Sequence, residues 1–390
     1  MSEPSTKPDP TLAVQQAVAD LFTVEAVMLD PNQAGVIHLY GRFLVDSAEA
    51  YRLAYQRFRA LGYTPLFRSS EGRQIIVAAP GQLPGLKPKW TVPAVLFAVT
   101  VLTTLFAGMD WQPGRPLWQN LLSGATFSMG LLSILLAHEM AHFLVGRHLG
   151  VPVSLPYFIP LPIPPLGTMG AFIQMKAPPQ NRRHLLAVGM AGPLAGLVVA
   201  LPLLLVGLRM SPLELLGGTD PQRQVIMEGN SILYGLAKVA VFHRFVPDCY
   251  PAIPEGVLDV VQTALFGCRP GIGDDVMLKP LAFAGWAGLL VTGLNLIPAG
   301  QLDGGHVAYA LLGKRARYLN WAVIVFLVLL GLFTSWWGWF IWAGLIFLLG
   351  RHPAAPLDDV TRLEGWQVAL AILMMVIFVL TFVPIPMRLI

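Results

Sequence analysis

From Val92 onwards the chain is a succession of apolar stretches: Val92–Met109, Leu121–Leu149, Leu185–Leu208, Pro280–Leu312, Tyr318–Thr334, Trp336–Gly350 and Trp366–Pro384. A helix needs ~20 apolar residues to cross a bilayer. The pattern therefore predicts a polytopic α-helical membrane protein of about seven transmembrane spans, the fifth and sixth short enough to form a tight hairpin. Trp336, Trp337 and Trp339 at their junction suit an interfacial aromatic belt. Between the second and third spans, Val151–Lys176 carries Pro152, Pro156, Pro160, Pro162, Pro164 and Pro165, which exclude a regular helix. This segment ends in the strand-like Gly170–Lys176 and is predicted to be a re-entrant hairpin or loop. Its edge suits pairing with an extended peptide, and a structural plug shaping a cavity fits as well.

The first 88 residues alternate differently. Thr11–Phe22 and Asp46–Leu61 have helical apolar spacing, the second behind Asp46 as N-cap. Glu25–Leu29, Gly35–Phe43, Thr64–Arg68 and Arg73–Ala79 read as strands. The order helix-strand-strand-helix-strand-strand predicts a small α+β soluble domain over 1–88, closed by the turn-rich Pro80–Pro88. His38 stands alone there and reads as solvated or structural. The rest divides into a core over 89–350, with central spans 121–149, 185–208 and 280–312 and a long loop 209–279, and a linker plus last span over 351–390.

Composition agrees with a membrane chain: 55% of residues are hydrophobic, 12% are charged and the mean hydropathy is +0.62. The net charge of +4 is scattered and leaves no footprint for nucleic acid. Met1–Pro88 shows no apolar signal-peptide core, so the first span is expected to act as the signal anchor. Lys87, Lys89, Arg147, Lys176, Arg182, Arg183, Lys314, Arg315, Arg317 and Arg351 fall on one side of a seven-span arrangement. The positive-inside rule then predicts a multi-pass protein of a cell (plasma or inner) membrane. Its N-terminus would be cytoplasmic and its C-terminus extracytoplasmic. Cys249 and Cys268 both lie in the long outer loop, where a disulfide and two free thiols are both compatible with the pattern. Ser231–Phe245 in that loop has an apolar face, for the membrane surface or for the bundle.

Chemistry enters in the second span. His138, Glu139 and His142 read HEMAH, and residues four apart on a helix share one face, so both imidazoles can bind one metal. Glu139 follows the first histidine, where its carboxylate can reach a metal-held water. Ionisable groups inside an apolar span are costly unless paired or ligated, which marks them as functional. A catalytic zinc takes three protein ligands and keeps an open position. The third candidate is Asp303, in Asn295-Leu-Ile-Pro-Ala-Gly-Gln-Leu-Asp-Gly-Gly-His306. In the seven-span topology it arrives at the depth of the two histidines, near the cytoplasmic side.

The pairing of HEMAH with NLIPAGQLDGG resembles the site-2 protease family of intramembrane zinc metalloproteases over roughly Leu121–Leu312. Gly167–Lys176 (GTMGAFIQMK) and Ala191–Gly196 (AGPLAG) resemble its cyanobacterial and chloroplast-type subgroup most closely. The resemblance implies one Zn2+ per chain on His138, His142 and Asp303, with Glu139 as catalytic acid/base. Many members carry an asparagine shortly after the Gly-Pro of the middle core span, where this chain has Gly196. No inserted PDZ or CBS-like domain is found.

The implied activity is an intramembrane zinc endopeptidase, with the bilayer and a transmembrane protein as partners. It would hydrolyse bonds in or near the substrate's transmembrane segment, to release a cytosolic fragment or to clear a membrane remnant. Asn295 is a candidate for binding the substrate or intermediate, with capping or packing as the other reading. Gly170, Ala171 and Phe172 are candidates for pairing with an unwound substrate. Two other readings are a non-proteolytic membrane chaperone or transporter on the same fold, and a peptidase of small peptides. The complete His138/Glu139/His142/Asp303 set disfavours the first, because a non-catalytic protein has no use for the glutamate. Nothing in the pattern fixes an oligomeric state.

Overall fold

The structure is a computed structural model describing residues 9–70, 72–82, 90–111, 114–216, 226–244, 246, 248–250, 272–334, 336–350 and 355–389. The N-terminal unit runs α1 (Pro10–Gln16), β1 (Phe22–Leu29), β2 (Ile37–Phe43), α2 (Ser47–Ala60), β3 (Tyr63–Ser70) and β4 (Arg73–Pro80). Its antiparallel sheet has the order β1-β2-β4-β3. Asp9 and Asp46 cap the two helices by accepting backbone N–H bonds from Thr11 and Ala48. The first helix is shorter than its apolar spacing predicts. After Gln16 the bonds tighten to Val18–Gln15 and Ala19–Gln16, and Phe22 already belongs to β1. His38 is not alone: its Nε2 lies 3.2 Å from the Asp30 carboxylate.

The apolar stretches appear as α3 (Thr91–Ala107), α4 (Leu117–His148), α5 (Arg182–Arg209), α7 (Pro280–Asn295), α8 (Asp303–Leu312), α9 (Ala316–Thr334), α10 (Gly338–Leu349) and α11 (Gly365–Thr381). Helix α6 (Ile232–Phe242) lies between α5 and α7. By length and composition, Leu117–His148, Arg182–Arg209 and the run Asp303–Thr334 can cross a membrane; the other apolar helices have 10–17 residues. The stretch expected as one span over 280–312 is broken. Helix α7 stops at Asn295, α8 starts at Asp303, and Gly300 between them has φ +64°. Gly313, at φ +59°, then separates α8 from α9. The aromatic-belt expectation fails for Trp339, which is fully buried and donates its indole N–H to the Pro384 carbonyl at 2.8 Å. Trp337 is the exposed member of the three.

Helices α4, α5 and α7 pack most closely. Phe127, Leu131, Ile134 and Leu135 of α4 meet Ala200, Leu204 and Leu208 of α5 and the Ala282–Leu290 face of α7 in one core. Small residues make the approach possible: a Cβ on Gly285 would lie 2.7 Å from the Leu204 backbone, and one on Gly207 2.3 Å from the Ala282 nitrogen. In the proline-rich segment, β5 (Tyr157–Pro160) and β6 (Thr168–Phe172) form an antiparallel hairpin. A bridge between Val153 and Met175 prolongs it. The strand thus covers Thr168–Phe172 rather than Gly170–Lys176.

The N-terminal unit is joined to this bundle through residues 357–359. Phe67 of β3 donates to the Leu357 carbonyl and accepts from Asp359, at 2.9 and 3.0 Å. On the other side, Leu357 and Asp358 donate to the Pro179 and Gln180 carbonyls at 3.0 and 2.7 Å. The sheet is thereby continued, edge to edge, to Asn181, the N-cap of α5. Leu357 is buried in the N-terminal core, and Arg182 pairs with the buried Asp359 at 2.9 Å. Lys314 also reaches Ser69 of β3, at 2.7 Å, so Lys314, Arg182 and the N-terminal unit share one end of the bundle.

The segment between α5 and α7 holds structure that the sequence reading missed. Strands β7 (Leu213–Leu216), β10 (Ile272–Val276) and β9 (Asp248–Tyr250) form a sheet in the order β7-β10-β9. Strand β8 (Ile226–Glu228) pairs with β11 (Met387–Leu389), bringing the C-terminal strand to this end. Cys268 and the Cys249 side chain lie outside the described residues. On α6, Tyr234 and Ala237 are buried while Ile232 and Leu236 are exposed, so both of its faces carry apolar residues. Beneath it Tyr234 donates to Glu228 at 2.7 Å, and Lys238, fully buried, lies 3.4 Å from Asp275.

Lost hydration and the neighbouring Asp275 push Glu228 up to about 7, against the opposing pull of Lys238 and the Tyr234 hydroxyl. A carboxyl raised in the folded state stabilises fully below its ordinary value near 4.5, and that contribution is lost as pH rises through about 7. The parent is therefore expected to melt at a higher temperature at pH 5.5 than at pH 8. Glu228→Gln should shrink that difference in a thermal unfolding series; an undiminished difference would assign it to other groups.

Candidate metal centre

Helix α4 brings His138 and His142 one above the other, both buried, with ring centroids 4.9 Å apart. Asp303 comes from the first turn of α8. One of its oxygens, Oδ2, lies 3.1 Å from His138 Nε2 and 3.2 Å from His142 Nε2, and the two Nε2 atoms are 3.1 Å apart. Four ligands at zinc bond lengths of ~2.0–2.1 Å on a tetrahedron stand ~3.3 Å apart, so this triangle is nearly one face of that figure. His142 is oriented by its other nitrogen, which donates from Nδ1 to the Val188 carbonyl at 2.7 Å and leaves Nε2 free for a metal. The three sequence candidates separated by 165 residues therefore meet at one point, and the described residues contain no other such group.

The space beside the donors is kept by glycine. A Cβ on Gly192 of α5 would sit 2.1 Å from His142 Nε2 and 2.7 Å from His138 Cδ2. At Gly196 a Cβ would lie 3.2 Å from His138 Nδ1. The cradle that a methyl group would fill, together with two imidazoles and a carboxylate, fits a zinc ion. Gly189 lets α8 approach, since its Cβ would meet the Asp303 carbonyl at 3.2 Å.

Asp303 is placed by the break before it. Helix α8 folds back on its own entry loop: a Cβ on Gly304 would lie 2.0 Å from the Leu296 carbonyl, and one on Gly305 2.5 Å from that of Gly300. The Gly-Gly following Asp303 is thus a condition of this close approach. Asn295 ends α7 with its side-chain nitrogen 3.5 Å from His138 Nε2, at the rim of the triangle. His306 is buried one turn beyond Asp303 and takes no part in the donor group.

Glu139 is buried at 3% exposure next to the donors. The hairpin reaches it through Ile173, whose backbone N–H faces the Glu139 carboxylate. Sequence reasoning had singled out Gly170, Ala171 and Phe172 on this strand and missed Ile173. Gly170 is buried at φ +101°, Ala171 is half-buried and Phe172 is 48% exposed. Ile173 follows directly on β6, which ends at Phe172.

The family model described as Peptidase family M50 matches residues 126–333, which include every donor. "Probable zinc metalloprotease EGY2, chloroplastic" of Arabidopsis thaliana is 34% identical over 267 residues, 68% of this chain and 42% of the relative. Its namesake in Oryza sativa subsp. indica is 30% identical over 313 residues, 77% and 50% of the two chains. "Probable zinc metalloprotease EGY1, chloroplastic" of Arabidopsis thaliana is 30% identical over 66% of this chain and 42% of its own length. The chain thus spans half or less of the length of these curated relatives, and no solved structure matches it. With the match covering more than half of its residues and the donor triangle lying inside it, the chain belongs to Peptidase family M50.

Proposed function

We propose that this chain is an intramembrane zinc endopeptidase acting on peptide bonds in or near transmembrane segments of other membrane proteins. The observation that carries the reading is the meeting of His138, His142 and Asp303 beside a buried Glu139, among apolar helices. The zinc metalloprotease names of the relatives support it. Bound zinc supplies Lewis acidity, which lowers the pKa of a water and polarises the scissile carbonyl. His138, His142 and Asp303 hold the ion, and the Val188 carbonyl keeps His142 in the required tautomer. Glu139 takes the proton from the attacking water and returns it to the leaving amine. The Ile173 backbone faces the Glu139 carboxylate, and Asn295 stands where it can donate to a substrate carbonyl.

A transmembrane helix satisfies its own backbone and must unwind before its carbonyls are accessible. The β6 edge around Gly170, Ala171 and Phe172 is the element we assign to receive the unwound strand. We place the apolar stretches as about seven spans of a cell membrane, with the N-terminal unit and C-terminus on opposite sides. Support comes from the clustering of Arg182, Lys314 and the N-terminal unit at one end and of β11 at the other. Val188 lies six residues into α5 from Arg182, ~9 Å along the helix, which supports a centre near the positively flanked end that we assign to the cytoplasm.

The test uses the purified full chain. One zinc per chain is expected, and both His138→Ala and Asp303→Ala should lose it. A membrane-permeant chelator should abolish cleavage of a bilayer-embedded segment, and added zinc should restore it. A folded parent that takes up no supplied zinc would sink the reading. Cleavage of a short soluble peptide but not of the embedded segment would redirect it to small peptides.

A further inference from the structure

Asn320 lies four residues into α9, immediately before the apolar run Trp321–Leu330, and is almost fully buried at 9% exposure. Polar groups at such positions need a partner and a reason. The partner is the loop that carries a metal ligand: Asn320 Oδ1 accepts the backbone N–H of Gly300 at 2.8 Å, with both groups away from water. Gly300 is the left-handed residue at which the chain turns between α7 and α8, three positions before Asp303.

Other contacts confine the same turn. Ile297 and Ala299 pack in a cluster with Leu327 of α9 and Trp339, Ala343 and Ile346 of α10. A Cβ on Gly350 would lie 2.6 Å from Gly300 Cα, and the first turn of α8 presses on the Ala299 and Gly300 carbonyls from the opposite side. These contacts are apolar or steric and limit how far the turn can move inward. The Asn320 bond is directional: it fixes the orientation of the Gly300 peptide and hence the point from which α8 departs.

We propose that Asn320 is a positioning residue for the metal centre. Its side-chain oxygen holds the Gly300 turn so that the Asp303 carboxylate stands at metal-ligand distance from His138 and His142. This inference rests on the zinc-site reading above. The Asp303 carboxylate stands 3.1 and 3.2 Å from two imidazoles on another helix, and both separations depend on the direction in which α8 leaves the Gly300 turn. Ligand distances in a working site hold to within ~0.2 Å, so a small rotation of the turn is enough to weaken the site.

The experiment measures zinc affinity by chelator competition on the purified full chain, with thermal unfolding of the metal-free protein beside it. Asn320→Leu keeps the volume and removes the acceptor; it should weaken zinc binding by ~10–100-fold, the range for lost partners of metal ligands. Asn320→Asp keeps an acceptor oxygen and should restore most of the affinity. Thr334→Val removes a hydroxyl that donates to the Leu330 carbonyl of its own helix and accepts from the Trp336 N–H just beyond it, with no bond to the Gly300 turn, and should leave affinity at the parent value. If Asn320→Leu fails to fold, Asn320→Ser takes its place, because its hydroxyl stays polar but is too short to reach Gly300. Parental zinc affinity in a folded Asn320→Leu or Asn320→Ser would overturn the proposal. So would an Asn320→Asp variant as weak as the leucine. A parent without zinc affinity would instead overturn the site reading, and the two failures are distinguished in one titration series.

Discussion

Glu139→Gln is expected to keep one zinc per chain and to cleave a bilayer-embedded segment ~10²–10⁴-fold more slowly, the usual range for removing a general acid/base. The separation of the two readouts follows from geometry. The donor triangle is made by His138, His142 and Asp303 alone, so the amide substitution removes no ligand. Glutamine preserves the volume of the buried side chain and an oxygen that can accept from Ile173, but it cannot take a proton. Zinc content and cleavage measured on one preparation decide the matter. Loss of zinc together with cleavage would make Glu139 part of the ion's binding site, and parental cleavage would remove it from the mechanism.

Gly192→Ala should have a comparably large effect from one methyl group placed on a different helix. That methyl would need to occupy a point 2.1 Å from His142 Nε2, so the imidazole must rotate out and give up its bond to Val188. Zinc affinity should fall at least ~100-fold, and cleavage with it. The fold should survive, since alanine inside a helix is favoured over glycine by about 1 kcal/mol. An undiminished melting temperature of the metal-free protein combined with an empty site is the expected signature. Gly235→Ala on α6, where a Cβ meets nothing within 4 Å, is the control and should leave zinc unchanged. Parental zinc binding in Gly192→Ala would mean that α5 yields at this point, and the cradle would lose its meaning.

How much of this was legible follows from the range over which each feature is encoded. His138, Glu139 and His142 lie within five consecutive positions of one helix, and helical periodicity alone puts them together. Asp303 was found by depth, because an ionisable residue in a second apolar stretch has few permitted levels. The role of Gly192 was not legible. The sequence shows a glycine at helix-packing spacing, and nothing local says that its missing Cβ faces an imidazole rather than an aliphatic side chain. Ile173 escaped because a backbone N–H leaves no mark in side-chain identity. Asn320 did leave one, a lone amide in an apolar run, which could have been flagged by the same rule that flagged Asp303.

The fold divides in the same way. Caps, apolar helices and the α-β-β-α-β-β order of the N-terminal unit come from patterns within about twenty residues. The break over 296–302 was visible only as loosened backbone, because Pro298 and Gly300 permit a turn without stating how wide it is. Trp339 was misplaced for a related reason: an aromatic residue at a span junction suits the interface, and only the proximity of Pro384 turns it inward. The strands between α5 and α7 are three to five residues long and pair with distant partners, β8 with the last residues of the chain. Short edges of that kind have no periodicity to detect.

The continuation of the N-terminal sheet through residues 357–359 also fixes an order of events during synthesis. Arg68 on β3 bonds to the Leu357 carbonyl, 289 residues later in the chain. At ribosomal rates of ~5–20 residues per second, the outer edge of β3 therefore waits roughly 15 to 60 seconds for its partner. Over that interval the nascent chain presents an unpaired strand to every other nascent chain nearby, the situation in which edge-to-edge association begins. Pro65 and Arg68 on this strand are residues of the kind that discourage such pairing. Leu357 and Asp359 therefore complete the first-made unit only when the bundle is nearly finished.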